Sequence, residues 1–233
     1  MNIFKIPFTH KGNFLERINK YVGLVELSNK ELALVHIHDP GRLIELIFPG
    51  NEVLLKHISN PNRKTSYDLI AAKKQNEWVL VNSIYHRKIA EKLLNSGVII
   101  NDKILSIKPE IIFKNSRLDF YVKTKNFSLL IEVKGCTLSK NQIALFPDAP
   151  TKRGLKHLNE LIEAQKLGFK TTLLILVFAR SKCFSPNFEI DPKFSKTFLD
   201  AIQHKIEMIP VQLFYSLEDQ YIKFIKILPF CNY

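Results

Sequence analysis

The sequence predicts an α+β chain in two parts, a small β-barrel followed by an α/β domain built on a mixed sheet. Three observations carry this prediction. Short stretches of alternating apolar residues, separated by Gly, Pro and Asn turns, fill the first 80 residues. After Asn82 the apolar residues recur at helical spacing, and a continuous apolar strand follows at 172–178. The chain has 233 residues, of which 46% are hydrophobic, so each part can bury a core.

Five strands are predicted in the first part, with turn residues between them. They are 21–27, 32–38, 52–58, 67–72 and 77–81. The strongest turn signal is Asp39-Pro40-Gly41-Arg42, because Pro fixes its own φ and Gly accepts a left-handed backbone. Short strands at this density are typical of an OB-type barrel.

The second part is predicted to run helix, three strands, helix, strand, helix, strand, which is an α/β layout with a mixed sheet. The first helix carries Ile89, Leu93 and Leu94 on one face and ends before Gly97. Asp191 is expected to cap the last helix, with Pro192 at its first position. The remaining elements are expected near 104–107, 111–113, 118–122, 129–133, 151–167 and 209–215. We place the domain boundary near Asn82, which gives domains of residues 1–82 and 83–233.

The charge of the chain favours an anionic partner. The sequence has 34 Lys and Arg against 22 Asp and Glu, a formal net charge of +12. The first 80 residues hold 11 basic and eight acidic residues, and the rest hold 23 and 14, so the second part carries most of the surplus. A surplus of this size attracts polyanions. A solvated lysine-rich surface is the alternative explanation.

Several features predict a cytoplasmic chain with no membrane segment. No apolar run approaches the roughly 18 residues of a membrane span, and the first residues do not resemble a signal peptide. The three cysteines, Cys136, Cys183 and Cys231, are far apart and form no Cys-x-x-Cys pair. We therefore expect a reducing compartment, no disulfide framework and no zinc site. The oligomeric state is left open, and a homo-oligomer is one of the alternatives.

Two acidic residues are predicted to face each other on neighbouring strands. If the strands around Lys125-Asn126 form a symmetric hairpin, paired residue numbers add up to 251, and Asp119 lies opposite Glu132. Facing carboxylates repel, and in an apolar strand they are costly unless a cation lies between them. Lys134 lies on the same strand face as Glu132. The alternative is an ordinary hairpin with an exposed Glu–Lys pair.

The segment from Asp119 to Glu132-Val133-Lys134 resembles the D…(D/E)-x-K pattern of the PD-(D/E)XK nuclease superfamily, and so does the order of elements. A closer resemblance is to the SfsA family, the sugar fermentation stimulation proteins. It extends over residues 14–215, and the block Leu-Phe-Pro-Asp-Ala-Pro at 145–150 is its most specific signature. The other matching stretches are 36–42, 49–51, 60–64, 81–82, 116–120, 131–134, 151–161 and 188–192. Asp39 and Arg87 depart from the family pattern, which has Asn at both places.

The resemblance implies an OB-like barrel joined to a nuclease-like domain, with DNA as the ligand. Asp119, Glu132 and the carbonyl of Val133 would then hold Mg²⁺ or Mn²⁺, and Lys134 would act on the attacking water. Glu91 on the first helix matches an occasional extra carboxylate ligand of the superfamily, and a solvent-facing glutamate is the alternative.

Phosphate-binding residues are predicted on barrel loops and at the start of the helix at 151–167. Turns of OB-folds bind nucleic acid, and the positive end of a helix dipole favours a phosphate. The candidates are Arg42, Arg63, Lys64, Lys152, Arg153 and His157. Asp148, just before that helix, is expected to cap it, with a metal contact as the alternative.

Two functions are compatible with these residues. The first is Mg²⁺-dependent hydrolysis of DNA phosphodiester bonds at Asp119, Glu132 and Lys134. The second is DNA binding alone, in the regulation of sugar-metabolism genes, as the name of the resembling family suggests. The intact set of three residues favours the enzyme, because a protein that only binds DNA has no evident need for facing carboxylates.

Overall fold

The structure, a computed structural model, describes residues 1–114 and 116–231. In the first part the strands are β1 (Asn2–Lys5), β2 (His10–Asn19), β3 (Val22–Leu27), β4 (Leu32–His36), β5 (Glu52–His57), β6 (Tyr67–Lys74) and β7 (Glu77–Leu80). A short 3-10 helix (Ser83–Tyr85) leads into α1 (His86–Asn95), β8 (Ile104–Phe113), β9 (Ser116–Thr124), β10 (Ser128–Cys136), β11 (Ser139–Lys140) and β12 (Ile143–Phe146). The last elements are α2 (Lys152–Lys166), β13 (Lys170–Val177), β14 (Cys183–Pro186), α3 (Pro192–Gln203), β15 (Glu207–Tyr215) and β16 (Tyr221–Ile227).

Strands β2 to β6 form a closed barrel, as predicted. β2 pairs with β3 and β5, β3 with β4, and β5 with β6, and a short parallel pairing of β4 with β6 closes the ring. The predicted set of strands was wrong at two places. β2 was missed because most of its side chains are exposed, so its apolar alternation is weak. β7 pairs with β6 but lies outside the barrel.

A mixed sheet forms the second part, which confirms the predicted fold class. Its strands follow the order β7-β15-β13-β10-β9-β8. β10, β13 and β15 are parallel, whereas β8, β9 and β10 form an antiparallel meander. The first strand of the chain joins this part too, because β1 pairs with β16, the antiparallel partner of β15. The division at Asn82 stays a prediction.

Helices cover both faces of the mixed sheet. α1 packs its buried Ile89 and Leu93 into the same core as Ile131 of β10, together with residues of the barrel. α2 and α3 lie on the other face, in a second core that includes Leu130. Because side chains alternate along β10, Glu132 and Lys134 share the face of Leu130 and point toward α2.

The ends of the helices follow the predicted capping residues. The side chain of Asp191 accepts a hydrogen bond from the backbone N–H of Phe194, with Pro192 beginning α3. Its other carboxylate oxygen accepts from the N–H of Thr151, which is itself the N-cap of α2. A single aspartate therefore ties together the starts of two helices.

The expectation of no disulfide is wrong. Cys183 and Cys231 are bonded, with their Cα atoms 5.1 Å apart. The backbone of 229–231 returns to β14, where the N–H of Cys231 donates to the carbonyl of Phe184. Sequence spacing gave no sign of this contact, because 48 residues separate the two cysteines. Cysteine usage therefore no longer supports the expected reducing compartment. Within the described ranges, we find no helix with the length and apolar character needed to cross a membrane.

Candidate active site

The hairpin of β9 and β10 has the predicted register. Ser128 pairs with Lys123 and Ile131 with Phe120, so paired numbers add up to 251 as expected. The ladder ends at this last pair. Beyond it, the carboxylate of Asp119 accepts a hydrogen bond from the backbone N–H of Val133 at 2.7 Å. Asp119 is thereby held beside the strand that carries Glu132.

Glu132 is buried, at 2% exposure, and two basic side chains contact one of its oxygens. The ammonium of Lys134 donates to Oε1 at 2.5 Å, and Nδ1 of the buried His157 is hydrogen-bonded to the same oxygen. Arg153 lies one helical turn earlier on α2, with its Nε 3.5 Å from Nε2 of His157. Because Nε2 then acts as the acceptor, this contact favours the tautomer in which Nδ1 carries the proton and donates a hydrogen bond to Glu132.

The second oxygen of Glu132, Oε2, is buried and has no hydrogen-bond partner within the described residues. A buried carboxylate oxygen without a partner is costly, so it needs a ligand. Over 1–114 and 116–231, no group of three His, Cys, Asp or Glu side chains is arranged to hold a metal. A cation at this point would therefore take Glu132, Asp119, a backbone carbonyl and water or substrate as ligands.

The two carboxylates differ in their pKa values. Burial and the nearby charge of Glu132 raise the pKa of Asp119 to about 6. Burial also acts to raise the pKa of Glu132, but the hydrogen bond from His157 and the charge of Lys134 outweigh it and hold this pKa below its usual range. Glu132 thus keeps its negative charge, and the repulsion between the two carboxylates raises the pKa of Asp119.

A cavity of about 610 Å³, here called the site cavity, lies beside these residues. Val133 and Lys134 line it from β10, and Arg153 lines it from α2. On the opposite side it is lined by Lys20 and Gly41 of the barrel. Ligand pockets commonly have this size and lie between structural units.

Of the predicted phosphate-binding residues, some are exposed in the structure and others are not. Lys152 and Arg153 are exposed and line the site cavity, at the first turn of α2. Arg42 is also exposed. His157 is different, because its ring is buried against Glu132 and cannot reach a phosphate in this position. The sequence contained a signal for this, since His157 precedes the buried Leu161 by four residues.

Two further candidates lie on the barrel near its loop at 59–66. The guanidinium of Arg63 is engaged by Asp68 at 2.6 Å and by the hydroxyl of Thr65. Its charge is therefore compensated inside the barrel, whereas Lys64 beside it is exposed. Neither residue lines the site cavity.

Glu91 is not brought to the site. It is exposed on α1, and the buried residues of that helix pack on the sheet face opposite to Glu132. The structure brings His86, at the start of α1, to the site cavity instead. The ring of His86 stacks on Phe178 and contacts Gly135, and its burial lowers its pKa to about 4. No motif in the sequence pointed to His86.

Asp148 does not cap α2, so that expectation was wrong. Its carboxylate accepts a hydrogen bond from the backbone N–H of Arg42 at 3.0 Å, across 106 residues of sequence. Arg17 stabilises the same turn from the barrel side, since its guanidinium donates to the carbonyls of Gly41 and Arg42. These contacts fix the Asp-Pro-Gly-Arg turn against the loop before α2, at the mouth of the site cavity.

Comparison with known proteins covers both parts of the chain. A family model described as the SfsA N-terminal OB domain matches residues 15–81, and one described as the sugar fermentation stimulation protein RE domain matches residues 84–219. A sugar fermentation stimulation protein homolog from Thermosipho melanesiensis is 51% identical over 224 residues, 96% of this chain and 95% of that protein. The homolog from Methanococcoides burtonii is 39% identical over 237 residues, 99% of this chain and 95% of the relative.

A solved structure shows the same fold over the full length. It is the SfsA protein of Pyrococcus furiosus in complex with Ca²⁺, which matches with a TM-score of 0.92, covers 100% of both chains and is 24% identical. The two family models together match most of the sequence, and the sequence identities to the relatives extend over nearly all of it. The chain therefore belongs to the SfsA family of sugar fermentation stimulation proteins.

Proposed function

We propose that this protein binds DNA and hydrolyses its phosphodiester bonds at Asp119, Glu132 and Lys134, with Mg²⁺ or Mn²⁺ as the cofactor. The observation that carries the proposal is the buried, unpartnered Oε2 of Glu132 next to a second carboxylate. Neither feature stabilises the fold, because the carboxylates repel each other. Both are explained if the pair holds a hard cation.

The donor set fits Mg²⁺ or Mn²⁺. These ions prefer oxygen ligands, and Mg²⁺ often uses one or two carboxylates together with water and substrate phosphates. Asp119, Glu132 through Oε2, and the carbonyl of Val133 would hold the ion. When bound, the ion supplies charge compensation and Lewis-acid polarisation of the phosphate. The Ca²⁺ in the Pyrococcus furiosus SfsA structure supports a divalent site in a protein with this fold.

Lys134 is the residue we assign to the attacking water and the developing negative charge. Its side chain is about one-sixth exposed, at 17%, and it borders the site cavity while its ammonium contacts Glu132. A fixed ammonium at this position can orient water and stabilise charge on the phosphorane-like transition state. His157 and Lys134 both bind Oε1 of Glu132, which leaves Oε2 free for the ion.

DNA is proposed as the substrate on grounds of charge. The second part of the chain carries most of the basic surplus, and Lys152 and Arg153 present it at the wall of the site cavity. They lie at the N-terminal turn of α2, where backbone N–H groups also favour phosphates. Lys20 adds a cation from the barrel, where the cavity is also lined by Asp39 and Asp148, whose carboxylates accept the backbone N–H groups of Gly41 and Arg42.

The test is cleavage of plasmid and branched DNA by purified protein with Mg²⁺ or Mn²⁺. We expect nicking by the wild type, loss with EDTA, and a loss of at least a hundredfold in Asp119→Asn and in Glu132→Gln. Glu91→Gln is the matched control, because it removes an exposed carboxylate and should keep full activity. Equal nicking by all four proteins would refute the proposal. DNA binding without cleavage would instead support the alternative function, a DNA-binding regulator without catalytic activity.

A further inference from the structure

A second cavity, here called the β13 cavity, lies at the carboxyl end of β13 and shares no lining residue with the site cavity. Its volume is about 610 Å³. The lining residues used in the argument below are Glu77, Gln142, Arg180, Lys182, Phe214 and Lys226.

The β13 cavity exists because the sheet changes partners along β15. β13 runs beside β15 up to the pair of Val177 with Gln212, and then leaves the sheet. Three residues later β7 takes the same side of β15, through the pair of Tyr215 with Trp78. The opening lies at the carboxyl end of β13, and the carboxyl ends of parallel strands are where α/β sheets usually bind ligands.

Gln212 holds this opening in shape. Its amide nitrogen donates to the carbonyls of Val177 and Ala179, and its amide oxygen accepts from the N–H of Ser181. The side chain is buried and fully engaged, so it supports the wall of the cavity and is not available to a ligand. The loop that follows β13 is thereby fixed with Arg180 and Lys182 at the cavity.

Positive charge dominates the cavity. Lys182 and Lys226 are exposed, and neither side chain makes an ion pair or a hydrogen bond within the part of the chain that the structure describes. Arg180 is paired with Glu77 at 3.0 Å, but its side chain is 81% exposed and can turn to a ligand. Three cations and one carboxylate leave a net positive charge, which suits a phosphate.

The cavity also offers contacts to a nucleobase, with Gln142 beside Lys182, whose backbone N–H donates to the Gln142 carbonyl, and with Phe214 on β15. Phe214 is partly exposed toward the cavity, and aromatic rings stack on bases. The amide of Gln142 is exposed and has no hydrogen-bond partner within residues 1–114 and 116–231, and it can both donate and accept. Asn141 and Gln142, with φ values of 52° and 63°, form the two-residue turn between β11 and β12, which holds Gln142 at the cavity.

From these features we propose that the β13 cavity binds a nucleotide, with its phosphate at Lys182 and Lys226 and its base against Phe214 and Gln142. The nucleotide is either free or one unit of a nucleic-acid strand. The proposal does not depend on hydrolysis at Asp119 and Glu132, because none of those residues lines this cavity.

Calorimetry with the full chain tests the proposal, using AMP, GMP, CMP and UMP as probes, and adenosine and inorganic phosphate as the two halves of the ligand. At least one nucleotide should bind ten times more tightly than either half. A Lys182→Gln/Lys226→Gln double variant and Phe214→Leu should each weaken it at least tenfold. Lys196→Gln, an exposed lysine on α3, is the matched control and should change nothing. Melting curves verify that each variant is folded.

A 12-nucleotide single strand, titrated by fluorescence anisotropy, distinguishes the two sources. Loss of affinity in the variants for the strand alone identifies a unit of a nucleic acid, and loss for the mononucleotides identifies a free nucleotide. Both results support the proposal. If the variants bind both the strand and the mononucleotides as tightly as the wild type does, the proposal is overturned. Failure of the proposed hydrolysis is seen separately, in the plasmid nicking assay, because these titrations require no cleavage.

Discussion

The carboxylate of Asp119 extends past the end of the β9–β10 ladder and accepts a hydrogen bond from the backbone N–H of Val133, the residue between Glu132 and Lys134. One hydrogen bond therefore fixes the distance between two carboxylates that repel each other. It also places the Asp119 side chain beside the Val133 carbonyl group, the third proposed ligand of the cation.

The stability of the metal-free protein should depend on the ionisation of Asp119. Its pKa is raised from 3.8 to about 6, so the folded state binds this proton more tightly than the unfolded state. The stabilising effect is fully present below the unfolded pKa and is lost as pH rises through about 6. Asp119→Asn keeps an acceptor for Val133 and lacks the charge, so it should melt above the wild type at pH 7.5 and lose that advantage near pH 4.

Melting temperatures of both proteins across this pH range, in EDTA, measure the effect. Glu91→Gln serves as control and should show a constant difference from the wild type. A difference between Asp119→Asn and the wild type that does not change with pH would contradict the assigned pKa.

Gly135 should be intolerant of a larger side chain. A Cβ at this position would overlap Cε1 of His86, whose ring is held against Phe178. Gly135→Ala should lower the free energy of unfolding by about 1–3 kcal/mol, the usual cost of overpacking. In a Gly135→Ala/His86→Ala double variant the clash is absent. The double variant should therefore lose less free energy of unfolding than the two single variants lose together. Strict additivity in urea unfolding would show that the contact does not limit this position.

Lys134 should contribute to chemistry more than to DNA affinity. Lys134→Met keeps the aliphatic stem and removes the charge. We expect single-turnover nicking to fall by about a hundredfold or more, the usual scale for a positioned catalytic group. Affinity in gel shifts should change by less than about 1 kcal/mol, because one charge among many phosphate contacts is a small share. A large loss of affinity would make Lys134 a phosphate-binding residue.

Lys152 and Arg153 should show the opposite behaviour. Removing both charges in Lys152→Gln/Arg153→Gln should weaken DNA binding and reduce the slope of log affinity against log salt by about 2, since each phosphate contact releases about one counterion. Lys193→Gln/Lys196→Gln, on the exposed side of α3, is the control pair. An unchanged salt slope in the first double variant would place the DNA elsewhere.

The disulfide between Cys183 and Cys231 should stabilise the fold. It joins the end of the chain to β14 across 48 residues, and links of this kind typically contribute about 2–4 kcal/mol. Cys231→Ser should melt at a lower temperature than the oxidised wild type. A reductant should lower the wild type to the same value and leave the variant unaffected; equal melting of all samples would mean that the bond does not form.

Much of this site was predictable because its geometry is local. The hairpin register follows from a symmetric turn, so the proximity of Asp119 to Glu132, just beyond the last pair of the ladder, could be derived from numbering alone. Contacts between distant segments could not. His157 reaches Glu132 only because α2 packs on the same face of β10, and Asp148 meets Arg42 only because the barrel turn docks at that loop.

The same distinction applies to the fold. β2 was missed because its outward residues are polar, and the pairing of β1 with β16 joins the two ends of the chain. The Cys183–Cys231 bond depends on the 229–231 segment returning to β14, which no local pattern encodes.

The central claim is that Asp119 and Glu132 together hold one divalent cation. It is tested most directly by calorimetric titration of Mn²⁺ into the wild type, Asp119→Asn and Glu132→Gln, each with and without DNA. We predict one Mn²⁺ bound per wild-type chain, more tightly with DNA present, and no comparable binding by either variant. Absence of Mn²⁺ binding by the wild type with DNA, or the same binding in all three proteins, would contradict the claim.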